Sequence, residues 1–171
     1  MNLPGVINNC IVRKNGDILV GIASCTLPEV VKKIETLTGA GLGGDIEIPI
    51  EGQFEAMSAS IKFTNICKGM ILEDGKVMEI NIKAALQEAD TETHETGVTV
   101  RMSASMKGRV KSLKPGDVAP GTKAEAEIEM TVTYYKLEID GEELFEIDKF
   151  NNIARINGND LAQPIRSALD L

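Results

Sequence analysis

Residues 124–148 read AEAEIEMTVTYYKLEIDGEELFEID, and this stretch decides the fold class. Through 124–134 small and apolar side chains alternate strictly with polar ones. Ala124, Ala126, Ile128, Met130, Val132 and Tyr134 are set against Glu125, Glu127, Glu129, Thr131 and Thr133. A period of two residues is that of a strand with one buried face and one wet face. Beyond Tyr134 the phase shifts, and Tyr135, Leu137 and Ile139 become the apolar set. Asp140-Gly141 supplies a turn, after which Leu144, Glu146 and Asp148 continue in a second short strand. An Asp-Gly pair between alternating runs is a hairpin signal. The segment predicts a surface built from strands and carries no catalytic cluster.

The same pattern extends upstream. Residues 7–12 and 17–24 predict two strands around the turn Lys14-Asn15-Gly16-Asp17. In 29–37 the residues Val30, Ile34 and Leu37 fall at helical spacing, but β-branching favours extended chain. Residues 54–64, 77–86 and 98–110 read as further strands, and QEADTETHETG after Leu86 as a polar loop. A short helix is expected at 65–73, and another at 160–169 with Asp160 as its N-cap.

The least regular part is 38–53. Gly39, Gly41, Gly43 and Gly44 precede Ile46, Ile48 and Ile50, which alternate with Asp45, Glu47 and Glu51. Such a segment is long for a connection inside a compact domain. An exposed row of isoleucines on an arm asks for a partner. No internal repeat, low-complexity tract or linker divides the chain, so residues 1–171 are expected to form one domain with an assembly arm at 38–53.

Composition narrows the function. The chain has 171 residues, 43% of them hydrophobic but only 4% aromatic, with no Trp, so the core must rest on Ile, Val, Leu and Met. A formal charge of −8 argues against binding nucleic-acid phosphates, which takes Lys and Arg. It leaves room for a surface that DNA slides past. Cys10, Cys25 and Cys67 are odd in number and lack metal-ligand spacing, and are expected as reduced thiols. MNLPGVINNC has neither a basic nor an apolar leader region, so no signal peptide is expected. No apolar run approaches the ~20 residues of a membrane span.

Gly39-Ala40-Gly41-Leu42-Gly43-Gly44 contains a literal G-x-G-x-x-G, but the residues after it are β-like and broken by Pro49 rather than the start of a helix. His94 is the sole histidine and sits in a polar run typical of an exposed loop. No catalytic, cofactor-binding or metal-binding residue is expected.

Several landmarks then carry a resemblance. Thr26-Leu27-Pro28, Lys32-Lys33-Ile34-Glu35 and Gly39-Ala40-Gly41 come first, and Met106-Lys107-Gly108-Arg109 comes next. Tyr134-Tyr135-Lys136-Leu137, Asp140-Gly141-Glu142-Glu143-Leu144, Glu146-Ile147-Asp148 and Ile156-Asn157-Gly158 complete the order. Over nearly its whole length the chain resembles the major tail tube proteins of contractile-tailed bacteriophages. The resemblance implies a mainly β fold, with two packed antiparallel sheets in a sandwich- or barrel-like arrangement, one flanking α-helix and a long extended loop. It implies a structural protein rather than an enzyme, associating edge to edge into hexameric rings that stack into a hollow tube. The implied partners are other copies of the chain, the tail sheath protein, the tape-measure protein, and baseplate and tail terminator proteins. DNA would pass through the lumen without specific binding, and there would be no membrane anchor. The implied location is the virion tail, after assembly in the host cytoplasm.

Within that resemblance, Gly41, Ile46, Ile48 and Ile50 are the candidate contacts with a neighbouring subunit or ring. Glu125, Glu127 and Glu129 are the candidate lumen-facing residues, since an acidic, hydroxyl-rich wall repels a phosphate backbone. Arg101, Lys107 and Arg109 are candidates to meet acidic groups across subunits. The same reading fits the tube of an R-type phage-tail-like bacteriocin and, less well, a type VI secretion tube. A small β-sandwich ligand-binding module is the rival from a different class, and Tyr134 and Tyr135 alone give it thin support.

Overall fold

The strand at 127–139 turns out to be the hub of the molecule. The structure, a computed structural model, describes all residues except Met1, Val20, Leu42, Cys67, 69–74 and Leu171. Its described elements are β1 (Asn2–Lys14), β2 (Asp17–Leu19), β3 (Ile22–Thr26), β4 (Lys32–Leu37), β5 (Ile46–Phe54) and β6 (Met57–Phe63). They continue with β7 (Met78–Asp90), β8 (Thr96–Lys114), β9 (Glu127–Ile139), β10 (Glu142–Asp148), β11 (Ile153–Ile156) and β12 (Asn159–Asp160), then the short helix α1 (Gln163–Ala168). The fold is mainly β, and every strand pairing is antiparallel.

β9 pairs with β8 along one side for most of its length. On its other side it has two successive partners, β6 opposite 127–132 and β10 opposite 134–139. Ten strands therefore form one continuous sheet that divides at the middle of β9. One half is β3-β6-β9-β8, using the first part of β9 and the last part of β8. The other runs β2-β1-β7-β8-β9-β10-β11-β12. Val12 and Ile80 from the larger half and Met57, Ile61 and Phe63 from the smaller half belong to one buried cluster, so the halves close over a shared core. β4 and β5 form a separate two-stranded hairpin.

The division has a local cause. Lys107 lies opposite Tyr134 but Gly108 lies opposite Val132, which leaves Thr133 as an extra residue on β9. A β-bulge bends and twists its strand and changes which face the following residues occupy. Ala126, Ile128, Met130 and Val132 are buried as the alternation predicts, and after the bulge Tyr135 is buried. Tyr134, expected with the buried set, instead faces outward and donates a hydrogen bond to Glu146 (3.0 Å). The phase shift visible in the sequence is this bulge.

Gly108 is required there by space. A Cβ at this position would lie 1.8 Å from the carbonyl oxygen of Thr131.

Other expectations shift in detail. The strand expected at 17–24 breaks into β2 and β3 around Gly21, whose φ is +79°, and β3 leaves β1 to pair with β6. The polar loop after Leu86 is shorter than expected, because β7 runs to Asp90 and β8 begins at Thr96. The extended reading of 29–37 holds over β4. Within 38–53 the second part is strand β5 rather than loop, so the segment is the tip and returning strand of a hairpin. The helix expected at 65–73 falls largely outside the described residues. The C-terminal helix is confined to α1, and its N-cap is Ala162 rather than Asp160. Asp160 still serves this corner, accepting the Ala162 N–H (3.0 Å) and pairing with Arg166.

Replacing Gly108 with Ala should lower unfolding free energy by about 3 kcal/mol or more, because a backbone oxygen cannot move aside as a side chain does. Urea denaturation followed by far-UV circular dichroism measures the loss, and an unchanged midpoint would contradict this account of the bend.

Candidate functional site

The surfaces that remain unfinished in the single chain are strand edges, an apolar hairpin and two polar sheet faces. Edge strands expose unpaired N–H and C=O groups that recruit further strands. β3 pairs only with β6, leaving its other side open. β8 pairs with β7 only as far as Gly108, so beyond that residue its β7 side is also open. β1 is covered by β2 only at Val12–Lys14, which leaves the rest of its outer edge open.

The hairpin β4–β5 presents the isoleucines singled out in the sequence. Its register puts Leu37 opposite Ile46 and Glu35 opposite Ile48, so these four share one face. Leu37 (46%), Ile46 (45%) and Ile48 (43%) are exposed, whereas Ile50, nearer the base, is partly covered. At that base Phe54 is buried, the Glu55 N–H donates to Val31 O (2.8 Å), and Lys149 donates to the Glu55 carbonyl. Lys32 and Glu51 pair across the strands (2.9 Å). Gly41 lies at the hairpin tip with a φ of +94°, well away from the isoleucine face's anchoring end.

Glu127 and Glu129 stand on the outward face of the β3-β6-β9-β8 half. Register sets Glu129 opposite Ser60 and Ser112, and Glu127 opposite Lys62 and Lys114. Lys111 lies 3.1 Å from Glu129, Ser112 donates to the same carboxylate (3.2 Å), and Lys114 lies 3.5 Å from Glu127. The hydrogen bond and charge of Lys111 hold the Glu129 carboxyl below its ordinary range. Glu125 is exposed in the approach to β9 and borders a recess of about 390 Å³ with Lys62, Lys123 and Glu127. The three carboxylates do gather on one surface. Two of them are matched by lysines, so this face is a nearly balanced ladder of charges and hydroxyls rather than a purely acidic wall.

The opposite outward face carries a network that residue-by-residue reading of the sequence missed. Glu146 accepts from Tyr134 and pairs with Arg155 (2.5 Å), while Lys136 lies 2.7 Å from Glu138 and 3.5 Å from Glu143. Lys107 sits 5.3 Å over the Tyr134 ring and 3.9 Å from Glu79, so it is engaged within its own chain. Arg101 and Arg109 make no ion pair among the described residues. The signal for the network lay in the outward phase of β9 and β10, and it becomes readable only once the bulge flips that phase.

Among the described residues no group of three or more His, Cys, Asp and Glu side chains is placed to hold a metal, and no helix is long and apolar enough to cross a membrane. His94 is exposed in the turn between β7 and β8. Cys10 and Cys25 are free thiols, and burial pushes that of Cys25 up to about 12.

The described chain is thus an all-antiparallel sheet folded on itself, with open edges and an exposed apolar hairpin. Among known proteins, the family model described as phage tail tube protein FII matches residues 4–169. The chain belongs to this family. It is 29% identical over 172 residues to the tail tube protein of Escherichia phage P2, covering 100% of both chains. It is 30% identical over 151 residues to the major tail tube protein of Serratia phage KSP20, covering 88% of this chain and 86% of that one. Its fold is shared with a chain in the sheath–tube complex of an extracellular contractile injection system in the extended state. There the TM-score is 0.54 at 13% identity, over 79% of this chain and 91% of that one. A chain from the sheath/tube terminator structure of the same system gives a TM-score of 0.55 at 13% identity, over 80% of this chain and 97% of that one. The family is one of structural tail tube proteins.

The two tyrosines give a direct readout of the packed state. Burial and the Glu146 hydrogen bond push Tyr134 up to about 12, and burial does the same for Tyr135. A folded-state value above the ordinary ~10 means that this contribution to stability is complete below pH ~10 and is lost as pH rises towards about 12. Tyrosinate absorbance should therefore rise late in the native protein and near pH ~10 in denaturant. Coincident curves would show that neither ring is held as described.

Proposed function

We propose that the chain is the tube subunit of a contractile tail or injection machine, polymerising as hexameric rings that stack into a hollow conduit. The observation that carries this reading is the pair of open edges on the β3-β6-β9-β8 segment. Four consecutive antiparallel strands place β3 antiparallel to β8 at opposite edges. A copy related by rotation about the ring axis keeps its strand directions relative to that axis. The β8 edge of one subunit thus meets the β3 edge of the next in antiparallel sense, and the ladder continues around the ring until it closes. Closure satisfies backbone groups that the single chain leaves open.

The polar face of that segment becomes the channel wall, with Glu125, Glu127 and Glu129 facing the lumen. Ser58, Ser60 and Thr131 join them in register, and the carboxylates of Glu127 and Glu129 are balanced by lysines. A wall of hydroxyls and internally paired charges gives a passing phosphate backbone little net attraction. The opposite outward face, with its uncompensated Arg101 and exposed Ile11, suits contact with protein instead. The hairpin at the proposed arm, including Gly41, Ile46, Ile48 and Ile50, reaches a neighbouring subunit and buries its isoleucines only in the assembly. The sheath protein surrounds the tube, the tape-measure protein occupies it during assembly, and baseplate and terminator proteins bound its ends. The machine acts in the virion, delivering DNA or puncturing a membrane when the sheath shortens.

Two experiments test this. Purified protein at high concentration, viewed by negative-stain electron microscopy with and without baseplate, should give rings or hollow tubes of uniform diameter. Persistent monomers in both cases would remove the tube reading. In a cysteine-free background, the thiol introduced by Glu129→Cys should react with a maleimide attached to a large protein in free subunits but not in tubes. A small maleimide that enters the pore should still label it in tubes. Labelling of intact tubes by the large reagent would put this face outside.

A destabilisation test separates the hairpin's role from folding. Ile46→Asp with Ile48→Asp should change the free subunit's unfolding free energy by no more than about 0.5 kcal/mol, since both side chains are exposed, and still prevent tube formation. Tubes that form normally would exclude the hairpin from assembly.

A further inference from the structure

The apolar hairpin has a complementary surface elsewhere on the same chain. On the outward face of β1-β7-β8, Val6 (67%) and Ile11 (47%) are exposed. Register places Ile11 beside Lys83, and Ala85 between Asn9 and Arg101, so these residues share that face. They border a shallow groove of about 290 Å³. Neither Lys83 nor Arg101 has an ion-pair partner among the described residues. The groove lies beside the open edge of β1, and two bulges between Leu3 and Asn9 keep that strand from lying flat. The groove thus holds Ile11 and Ala85 beside two uncompensated cations, with Asn9 also in its lining and Val6 exposed further along β1.

The hairpin carries the converse. Leu37, Ile46 and Ile48 form an exposed apolar strip, and Glu35 shares their face without an ion-pair partner among the described residues. The hairpin joins the body at its base, through Phe54 and the Glu55 N–H, and Leu37, Ile46 and Ile48 beyond that base stay exposed. An exposed apolar face with an unpaired anion and a groove with two unpaired cations on one polypeptide suit a heterologous contact, in which each copy offers a hairpin and receives one.

We infer that the apolar face of the β4–β5 hairpin of one copy seats on the Val6/Ile11 strip of another, with Glu35 directed at Lys83 and Arg101. This rests on the tube reading above and adds to it the acceptor surface of the arm. Pairing of the charges selects the register, since a displaced hairpin would set Glu35 against apolar side chains and leave the cations uncompensated. Burial of the apolar strips supplies the affinity.

Charge reversal tests it. Lys83→Glu with Arg101→Glu should cut tube yield by roughly tenfold or more under conditions where the unaltered chain assembles. Glu35→Lys alone should weaken assembly, and the three changes together should recover a substantial part of the yield. Circular dichroism and thermal melting of each free variant establish that it folds. Independently, Ile48→Cys with Ile11→Cys in a cysteine-free background should give a ladder of disulfide-linked chains when tubes are oxidised, and none from dilute subunits. If the unaltered chain forms tubes, the reversed pair assembles normally and no ladder appears, the acceptor assignment is overturned while the tube reading stands. If the reversed variants form tubes that fail only to bind sheath, the groove belongs to the sheath and the assignment is likewise overturned. If the unaltered chain forms no tubes even with baseplate, both readings fall.

Discussion

The extra residue at Thr133, opposite Lys107 and Gly108, is the constraint on which the remainder of the structure depends. It lets one strand serve two sheet halves. Before it β9 faces β6, and after it β9 faces β10, while β8 runs along the other side. The bend brings side chains from both halves into one core despite the scarcity of aromatics, with Met57, Met106, Met130 and Ile80 filling the space. Methionine suits this task because its unbranched, flexible chain adapts to irregular gaps. Only Gly fits at 108, since the Thr131 carbonyl occupies the place of a side chain. Sequence, bend and core thus depend on one another.

The same bend determines what is left unfinished. Because β8 runs on past the end of β7 at Gly108, its last part is open on that side, and because β3 pairs with β6 alone, it too has an open edge. Open edges are ordinarily a hazard, managed by charge, bulges or cover. Here they lie on a segment with an even number of strands, the arrangement that a rotationally symmetric ring closes in antiparallel fashion. The hairpin and the cationic groove behave in the same way. Each is exposed in the single chain, and in the proposed assembly another copy covers it.

Much of this is legible in the sequence. Alternation over 124–134 locates the hub strand and the five buried residues in and just before it, and Asp140-Gly141 locates a hairpin in which Asp140 adopts a positive φ of 52°. The alternating row Ile46, Ile48, Ile50 marks strand β5 of the hairpin. What is hidden is non-local. Periodicity gives a face for each residue but not the bulge count, so it sets Tyr134 on the wrong side. The glutamates at 127 and 129 are visible as a row, whereas the lysines that balance them sit on another strand whose register is fixed by a second bulge near Lys111. Likewise the split of 17–24 into β2 and β3 depends on Gly21 and on β6, more than thirty residues away in sequence. The groove lined by Ile11, Lys83 and Arg101 combines β1, β7 and β8, and no local pattern reveals it.

The central claim is that the polar β3-β6-β9-β8 segment forms the channel wall and that its two open edges join neighbours. A cryo-electron microscopy reconstruction of assembled tubes, at a resolution that separates strands, tests it most directly. It should show β3 of each subunit paired antiparallel with the last residues of β8 in the next, and Glu129 lining the lumen. A ring closed through other strands, with the β3 edge open or the Glu129 face turned to the exterior, would contradict it.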